Sequence, residues 1–401
     1  MSFKRQTGLW HAFRFFQDLA LVYPVYVILL LQHGLGAGSV ALILALWAGS
    51  MLVFELPSGI LADRWSRRKT LIAGMLAKAI GFACWLVWTT PAGFAVGFVF
   101  WGLQEAFVSG TSDAYLFGLL RRSDRADRFE TVSARAAIWS RLAIILSMLG
   151  GAWLAARDSA LCIALSALAM LLSGLCLWLL PEIDRNRQPG RHEDETCAGP
   201  TIRELATSLR SSLRLPGMLT SLVFGCGVLA GWGMLDEYDT AYGLLRGVPL
   251  ELVGLWGCLR FAAEGLGCAL LPWLQRRGIL TSLRSMGFWS AIAALILAAG
   301  IAGPDLLLPA YFAFFAMLAP LEIAFGGQIQ RRIPDTGRAS FTSLVSLLTA
   351  GAAILIGLVL GAAASRGGLP LLFATGAGLV LLASLAGLFG RPVNQDSTEG
   401  R

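Results

Sequence analysis

The sequence predicts an all-α integral membrane protein with twelve transmembrane helices, and three observations carry that prediction. Of 401 residues, 56% are hydrophobic and only 14% charged, and the mean hydropathy is +0.67. Soluble domains carry roughly a quarter charged residues, so this chain lacks the polar surface to cover a water-soluble fold. The apolar residues also come in runs of about 20, the length a helix needs to cross about 30 Å of hydrocarbon. Finally, the cations gather on one side of those runs. The runs show none of the period-2 alternation of a barrel strand, and in lipid a segment must satisfy its own backbone groups, so they are helices.

The predicted spans lie at approximately 9–32, 38–62, 69–90, 93–120, 131–156, 160–181, 215–244, 249–274, 280–302, 304–329, 339–365 and 368–390. They leave no room for a sizeable soluble domain. One set of connections and ends holds 24 of the 32 Lys and Arg residues, and the opposite set holds only Arg157, Arg246 and Arg366. Five cations fall within spans. The positive-inside rule puts the basic side, with both termini, in the cytoplasm, which requires an even helix count. The net charge of +7 is therefore topological, and nucleic acid is excluded as the partner it would otherwise suggest. Arg14 and Asp18 interrupt the first apolar run and no small-residue cleavage site follows, so the first span is expected to be retained.

Glycine is abundant, at 46 residues, which suits close helix packing. Gly227 with Gly231 and Gly357 with Gly361 have the spacing of small-residue seams. The seven cysteines include no CxxC pair, and all but Cys197 lie in apolar runs. They read as packing residues. His11, His33 and His192 are scattered, so neither a metal site nor a cofactor is expected.

The second span ends in Glu55-Leu-Pro-Ser-Gly59-Ile-Leu-Ala-Asp63-Arg64-Trp-Ser-Arg67-Arg68-Lys69. This resembles the signature loop between helices two and three of the major facilitator superfamily, Gly-x-x-x-Asp-Arg-x-Gly-Arg-Arg/Lys. A bare basic loop would explain the arginines but not Gly59 and Asp63 at this spacing. Ser66 stands where glycine is usual and should tolerate the turn less well. Ile333-Pro334-Asp335 through Arg338-Ala339-Ser340 is similar to the Pro-x-x-x-Arg-Ala segment at the start of helix eleven in that family. The equivalent loop between spans eight and nine, Gln275-Arg276-Arg277-Gly278, lacks the Asp-Arg core.

The resemblance implies two six-helix bundles and secondary transport by alternating access. An N-terminal bundle would cover 1–181, a cytoplasmic linker 182–214 and a C-terminal bundle 215–401. The linker holds Pro189, Gly190, Gly199 and Pro200 among charges. Its Thr201-Ile-Arg-Glu204 is a capping-box pattern opening an amphipathic stretch to about Leu215, either a helix on the membrane face or plain linker. Glu105 in the fourth span precedes Arg121-Arg122 much as Glu322 in the tenth precedes Arg331-Arg332. Those are corresponding positions in a parallel repeat, whose site lies at the midplane between halves. The resemblance further implies a gating latch: Asp63 capping the positive start of span eleven near Ala339, and Arg67 or Arg64 paired with Asp113, with Gly59 and Arg68 completing the motif.

Ionisable residues at membrane depth cost several kcal/mol and read as functional by default. Glu105, mid-span with no cation near it in sequence, is the leading proton-coupling candidate, since a desolvated carboxylate can carry a proton near neutral pH. Asp18 and Glu322 are the others. Cavity or substrate candidates are Arg14, Arg141, Trp101, Trp232, Asp236 and Glu237, with Asp236-Glu237-Tyr238-Asp239 either a cation-receiving external mouth or a wet helix end. Arg14 with Asp18 and Arg260 with Glu264 are spaced i,i+4 and can instead be self-neutralised pairs. Lys78 is expected to snorkel or pair across helices, while Trp139 and the other tryptophans either wall a cavity or anchor at the interface.

The leading function is proton-coupled efflux of a small amphipathic molecule or metabolite, and the alternative is proton symport of a nutrient. Two departures weaken the drug-antiporter form. The arginine typical of helix four in proton-coupled members is missing around Leu103–Phe107, and Gly150-Gly151 of span five lacks a Gly-Pro pair. An enzyme is disfavoured because no HExxH, GxSxG or nucleotide-binding loop occurs. The expected setting is a bacterial inner (plasma) membrane, with the chain a monomer whose partners are its substrate, protons and the lipid bilayer.

Overall fold

The computed structural model of the chain describes residues 1–109, 111–183, 217–303, 307–332 and 338–389. Among these residues every regular element is helical. The helices are α1 (Phe3–Asp18), α2 (Tyr26–Gln32), α3 (Ala37–Arg64), α4 (Arg67–Val87), α5 (Pro91–Val108), α6 (Thr111–Arg122), α7 (Phe129–Ala155) and α8 (Ser159–Leu179). After the undescribed stretch come α9 (Met218–Asp236), α10 (Asp239–Leu245), α11 (Val253–Arg276), α12 (Leu283–Ala302), α13 (Leu307–Arg332) and α14 (Arg338–Phe389). The expected amphipathic linker segment and Ile333-Pro334-Asp335 lie outside the described residues.

Among the described residues ten helical spans are long and apolar enough to cross a membrane, and two local features reconcile that number with the twelve predicted spans. The first span is broken: α1 stops at Asp18 and α2 starts at Tyr26, with Pro24 between them unable to donate. The eleventh and twelfth spans run together in α14, where Gly367 and Gly368 leave helical geometry. Gly368 has φ +66°, the left-handed region open to glycine, and Pro370 starts the next helix with its fixed φ.

The burial pattern is that of a protein in lipid. Along α8, Leu161, Leu165, Leu168, Leu171 and Leu175 are exposed, whereas Cys162, Ser166, Ala169, Ser173 and Cys176 are buried. In water such a leucine stripe would be an aggregation face; in hydrocarbon it is the solvated side, and small polar residues pack the interior.

The chain forms two compact units. One comprises Met1–Leu35, Leu46–Gly199 and Thr240–Cys258, the other Gly36–Ala45, Pro200–Asp239 and Leu259–Arg401. In the first, α4 packs on α5 and α8, and α1 packs on α7 and α8. Its core joins Trp10, Phe13, Leu71, Met75, Tyr115 and Leu177. In the second, α14 packs against α9 and α12. Both glycine seams are used there: a Cβ at Gly227 would stand 2.8 Å from that of Ala383, one at Gly231 2.9 Å from Val380, and one at Gly361 2.6 Å from Ala41.

In the first unit Gly81 of α4 faces Gly97 of α5, and a Cβ at Gly81 would lie 2.7 Å from the Gly97 carbonyl oxygen. Backbone cannot yield as a side-chain end can, so Gly81→Ala should cost about 1–3 kcal/mol. Gly49, with nothing within 4 Å of its added Cβ, should accept alanine without loss. Thermal unfolding of the two purified variants checks this, and equal midpoints would refute the packing account.

Candidate functional site

The break in the first span leaves backbone groups without helical partners, and serines of neighbouring helices satisfy them. Ser166 of α8 accepts from the Val22 amide at 3.1 Å, and Ser147 of α7 donates to the Asp18 carbonyl at 3.3 Å. Gly151 lets the broken segment approach, since a Cβ there would stand 1.9 Å from the Leu21 carbonyl oxygen. The Asp18 carboxylate accepts from the Ser140 hydroxyl. Arg14 donates to Gln17 at 3.1 Å, so the i,i+4 pairing expected of Arg14 and Asp18 is replaced by two separate hydrogen bonds.

The break also brings Tyr23 over Lys78. Lys78 is 2% exposed; its ammonium donates to the Tyr23 hydroxyl at 2.9 Å and lies 4.3 Å from the centroid of the Trp101 ring. It therefore does not snorkel. Central burial of a lysine costs roughly 2.5–3.5 kcal/mol on insertion scales, and a desolvated cation–π contact offsets about 2 kcal/mol of that. Trp101 is itself enclosed by Tyr23, Tyr26, Trp47, Phe82, Trp85 and Phe98, with ring centroids 5.5–6.1 Å away. Its indole N–H donates to Glu105 at 3.1 Å. One indole thus touches a cation on its face and a carboxylate at its edge, which gives Glu105 an indirect counter-charge that sequence distance concealed.

A second cluster lies in the other unit. Arg260 of α11 is 2% exposed, and each of its nitrogens meets a different carboxylate. Nε is 2.8 Å from Asp239, Nη2 2.5 Å from Asp236, and Nη1 2.5 Å from Glu264. The Tyr311 hydroxyl donates to Asp239 at 2.6 Å, and the guanidinium lies 4.2 Å and 5.0 Å from the ring centroids of Phe261 and Phe315. The Arg260–Glu264 pair forms at the expected i,i+4 spacing. The arginine gathers the buried Asp239 and the partly exposed Asp236 into one site where carboxylates outnumber it three to one.

At the basic side, Ser66 caps α4 by accepting from the Lys69 amide and donates to the Glu182 carboxylate. Its extended φ of −172° is free of strain, so the departure from glycine is tolerated and acquires a partner. Arg68 pairs with Glu182 at 2.8 Å and donates to the Leu180 carbonyl at 2.6 Å. Arg122 and Tyr115 of α6 donate to the carbonyls of Glu182 and Pro181. Arg67 donates to the Ala114 carbonyl, beside the exposed Asp113. Gly59 is exposed on α3. Asp63 and Arg64 end α3, and their side chains, like those of residues 338–344, lie outside the described residues.

This architecture has named counterparts. The chain matches the Major Facilitator Superfamily over residues 12–355. It belongs to that superfamily. No curated protein matches it by sequence. Among solved structures, a crystal structure of the nucleoside transporter NupG superposes with TM-score 0.73 at 16% identity, covering 97% of this chain and 98% of its own. The POT family transporter PepTSo gives 0.72 at 14%, covering 96% and 97%. A D-xylose-proton symporter gives 0.63 at 14%, covering 97% of each. At these identities the likeness establishes the fold, two-bundle helical architecture of twelve spans.

In this superfamily member the other predicted residues are dispersed. Arg141 of α7 and Glu322 of α13 are exposed, while Trp232 of α9 is half-buried with its indole nitrogen unpartnered among the described residues. Glu237 links α9 and α10 and is half-buried. The sequence reading missed Tyr23, Tyr311 and Glu182 as partners. Pro24 inside an apolar run signalled the first of these, and nothing local signalled the others. Arg260→Gln should destabilise the protein by about 3–5 kcal/mol, because it strands buried carboxylates. Adding Asp239→Asn should recover part of that loss. Strictly additive effects in the double-mutant cycle would dissolve the cluster as an energetic unit.

Proposed function

We propose that the chain is a proton-coupled secondary transporter that exports a small amphipathic molecule or metabolite by alternating access. Residues 1–181 and 215–401 act as the rocking bundles, joined by a cytoplasmic linker at 182–214. The observation that carries the coupling is Glu105, a carboxylate in a transmembrane helix held by the Trp101 indole with Lys78 on the same ring. Protonating Glu105 removes its charge from that assembly and weakens its hold on Trp101, tying proton occupancy to aromatic packing. Asp18, Glu322 and the carboxylates around Arg260 are further proton acceptors within reach of the same logic. Export supposes Arg14, Arg141, Trp101, Trp232, Asp236 and Glu237 at or near the substrate route. A monomer in a bacterial inner membrane, termini cytoplasmic, is supported by the one-sided distribution of 24 cations against three.

The second reading, proton symport of a nutrient, is favoured by the structural neighbours, which include a D-xylose-proton symporter. Inside-out vesicles carrying a pH-gradient dye separate the two. For an exporter, adding a transported amphipathic compound releases lumenal protons, and Glu105→Gln abolishes that response while leaving compound binding measurable. Normal coupled transport in Glu105→Gln would remove Glu105 from the mechanism. Silence across a broad panel, with gradient-driven uptake in whole cells, would establish the symport reading. In either direction Asp63→Asn should slow cycling without changing which substrates are accepted, and altered selectivity would contradict the latch.

A further inference from the structure

Helices α11, α12 and α13 enclose an apolar groove of about 410 Å³ on the second unit. Leu266, Leu270 and Trp273 wall it from α11, Trp289 from α12, and Ala313 and Pro320 from α13. It has almost no polar lining, and it opens on the side where Leu266, Leu270 and Trp273 are 68%, 54% and 51% exposed. A proline and a glycine shape it. Pro320 cannot donate to the Ala316 carbonyl, and Gly267 approaches that carbonyl so closely that a Cβ would stand 1.9 Å away. The two helices are thereby pinched together beside the groove.

One end of the groove is basic. Trp273 is followed by Arg276, the last residue of α11, and by Arg277, whose guanidinium lies 5.3 Å from the centroid of the Trp273 ring. Arg284 sits at the start of α12, before Trp289 on the same helix. All three arginines are exposed, and among the described residues none is paired with a carboxylate. They belong to the side that the charge distribution assigns to the cytoplasm, and two of them are the basic core of the degenerate loop Gln275–Gly278.

We propose that this groove is a specific site for one anionic phospholipid, its acyl chain lying along Leu266, Leu270 and Ala313 and its phosphate held by Arg276 and Arg277 with Arg284 beside them. Charge complementarity selects this occupant. An apolar trough of this size takes a chain, tryptophans mark the headgroup level, and unpaired arginines at a cytoplasmic membrane face bind anionic headgroups. The assignment is independent of what the protein transports.

The test uses the purified full-length protein in detergent, with phosphatidylglycerol or phosphatidylcholine of identical acyl chains added and retention read by native mass spectrometry. Phosphatidylglycerol should be retained preferentially, by about five-fold for each engaged arginine. Arg276→Gln with Arg277→Gln, both exposed and so harmless to folding, should bring it down to the phosphatidylcholine level. Ala313→Phe, which fills the trough, should reduce retention of both lipids. Equal retention of the two lipids by the unmodified protein would reduce the groove to ordinary annular lipid and overturn the proposal. So would a preference that survives the double arginine variant. A lipid-free dimer that Ala313→Phe dissociates would instead assign the face to a second copy of the chain.

Discussion

Hydrocarbon offers no hydrogen bonds and little screening, so every polar group a helix carries into it must find its partner within the chain. The rest of this structure follows from meeting that demand where the helices are least regular. Pro24 breaks the first span, and the freed backbone would be costly in lipid. Ser166 and Ser147 reach it, and Gly151 removes the side chain that would have kept it away. Because the broken segment is held there, Tyr23 stands where it can receive Lys78, and Lys78 can lie over Trp101. A repair of backbone hydrogen bonding thus builds the polar site around Glu105.

The two units bury charge by different physics. In the first, a cation is held by ring faces and one hydroxyl, with a carboxylate at the edge of the same indole. In the second, a guanidinium is saturated by three carboxylates and flanked by two phenylalanine rings. The fork of donors on arginine suits convergent acids, whereas an ammonium is a point charge that an aromatic face can hold. Arginine and lysine would not serve in each other's places. The second cluster sets three carboxylates against one guanidinium, and Asp236 is the most exposed of the three acids at 39%.

Outside the hydrocarbon the constraint relaxes and the chain uses ordinary polar chemistry. The knot of Ser66, Arg68, Arg122, Tyr115 and Glu182 ties the signature loop to the ends of α6 and α8. It turns a departure from the superfamily's glycine into an anchor for Pro181 and Glu182.

Helix number and the one-sided charge were legible in the residues, because the length of an apolar run and the flanking arginines report directly on a slab of fixed thickness. The signature loop was legible too, since Gly59, Asp63 and the arginines sit at fixed local spacing. The Arg260–Glu264 pair could be read because i,i+4 neighbours share a helix face. What the sequence could not determine was partnership across helices. Nothing near Lys78 announces Tyr23, 55 residues away, nothing near Asp236 announces that Arg260 will claim it, and Arg14 and Asp18 satisfied the local rule yet bonded elsewhere. Those choices depend on which helix faces meet, and helix faces are assigned only when glycine seams and serine bridges settle the packing.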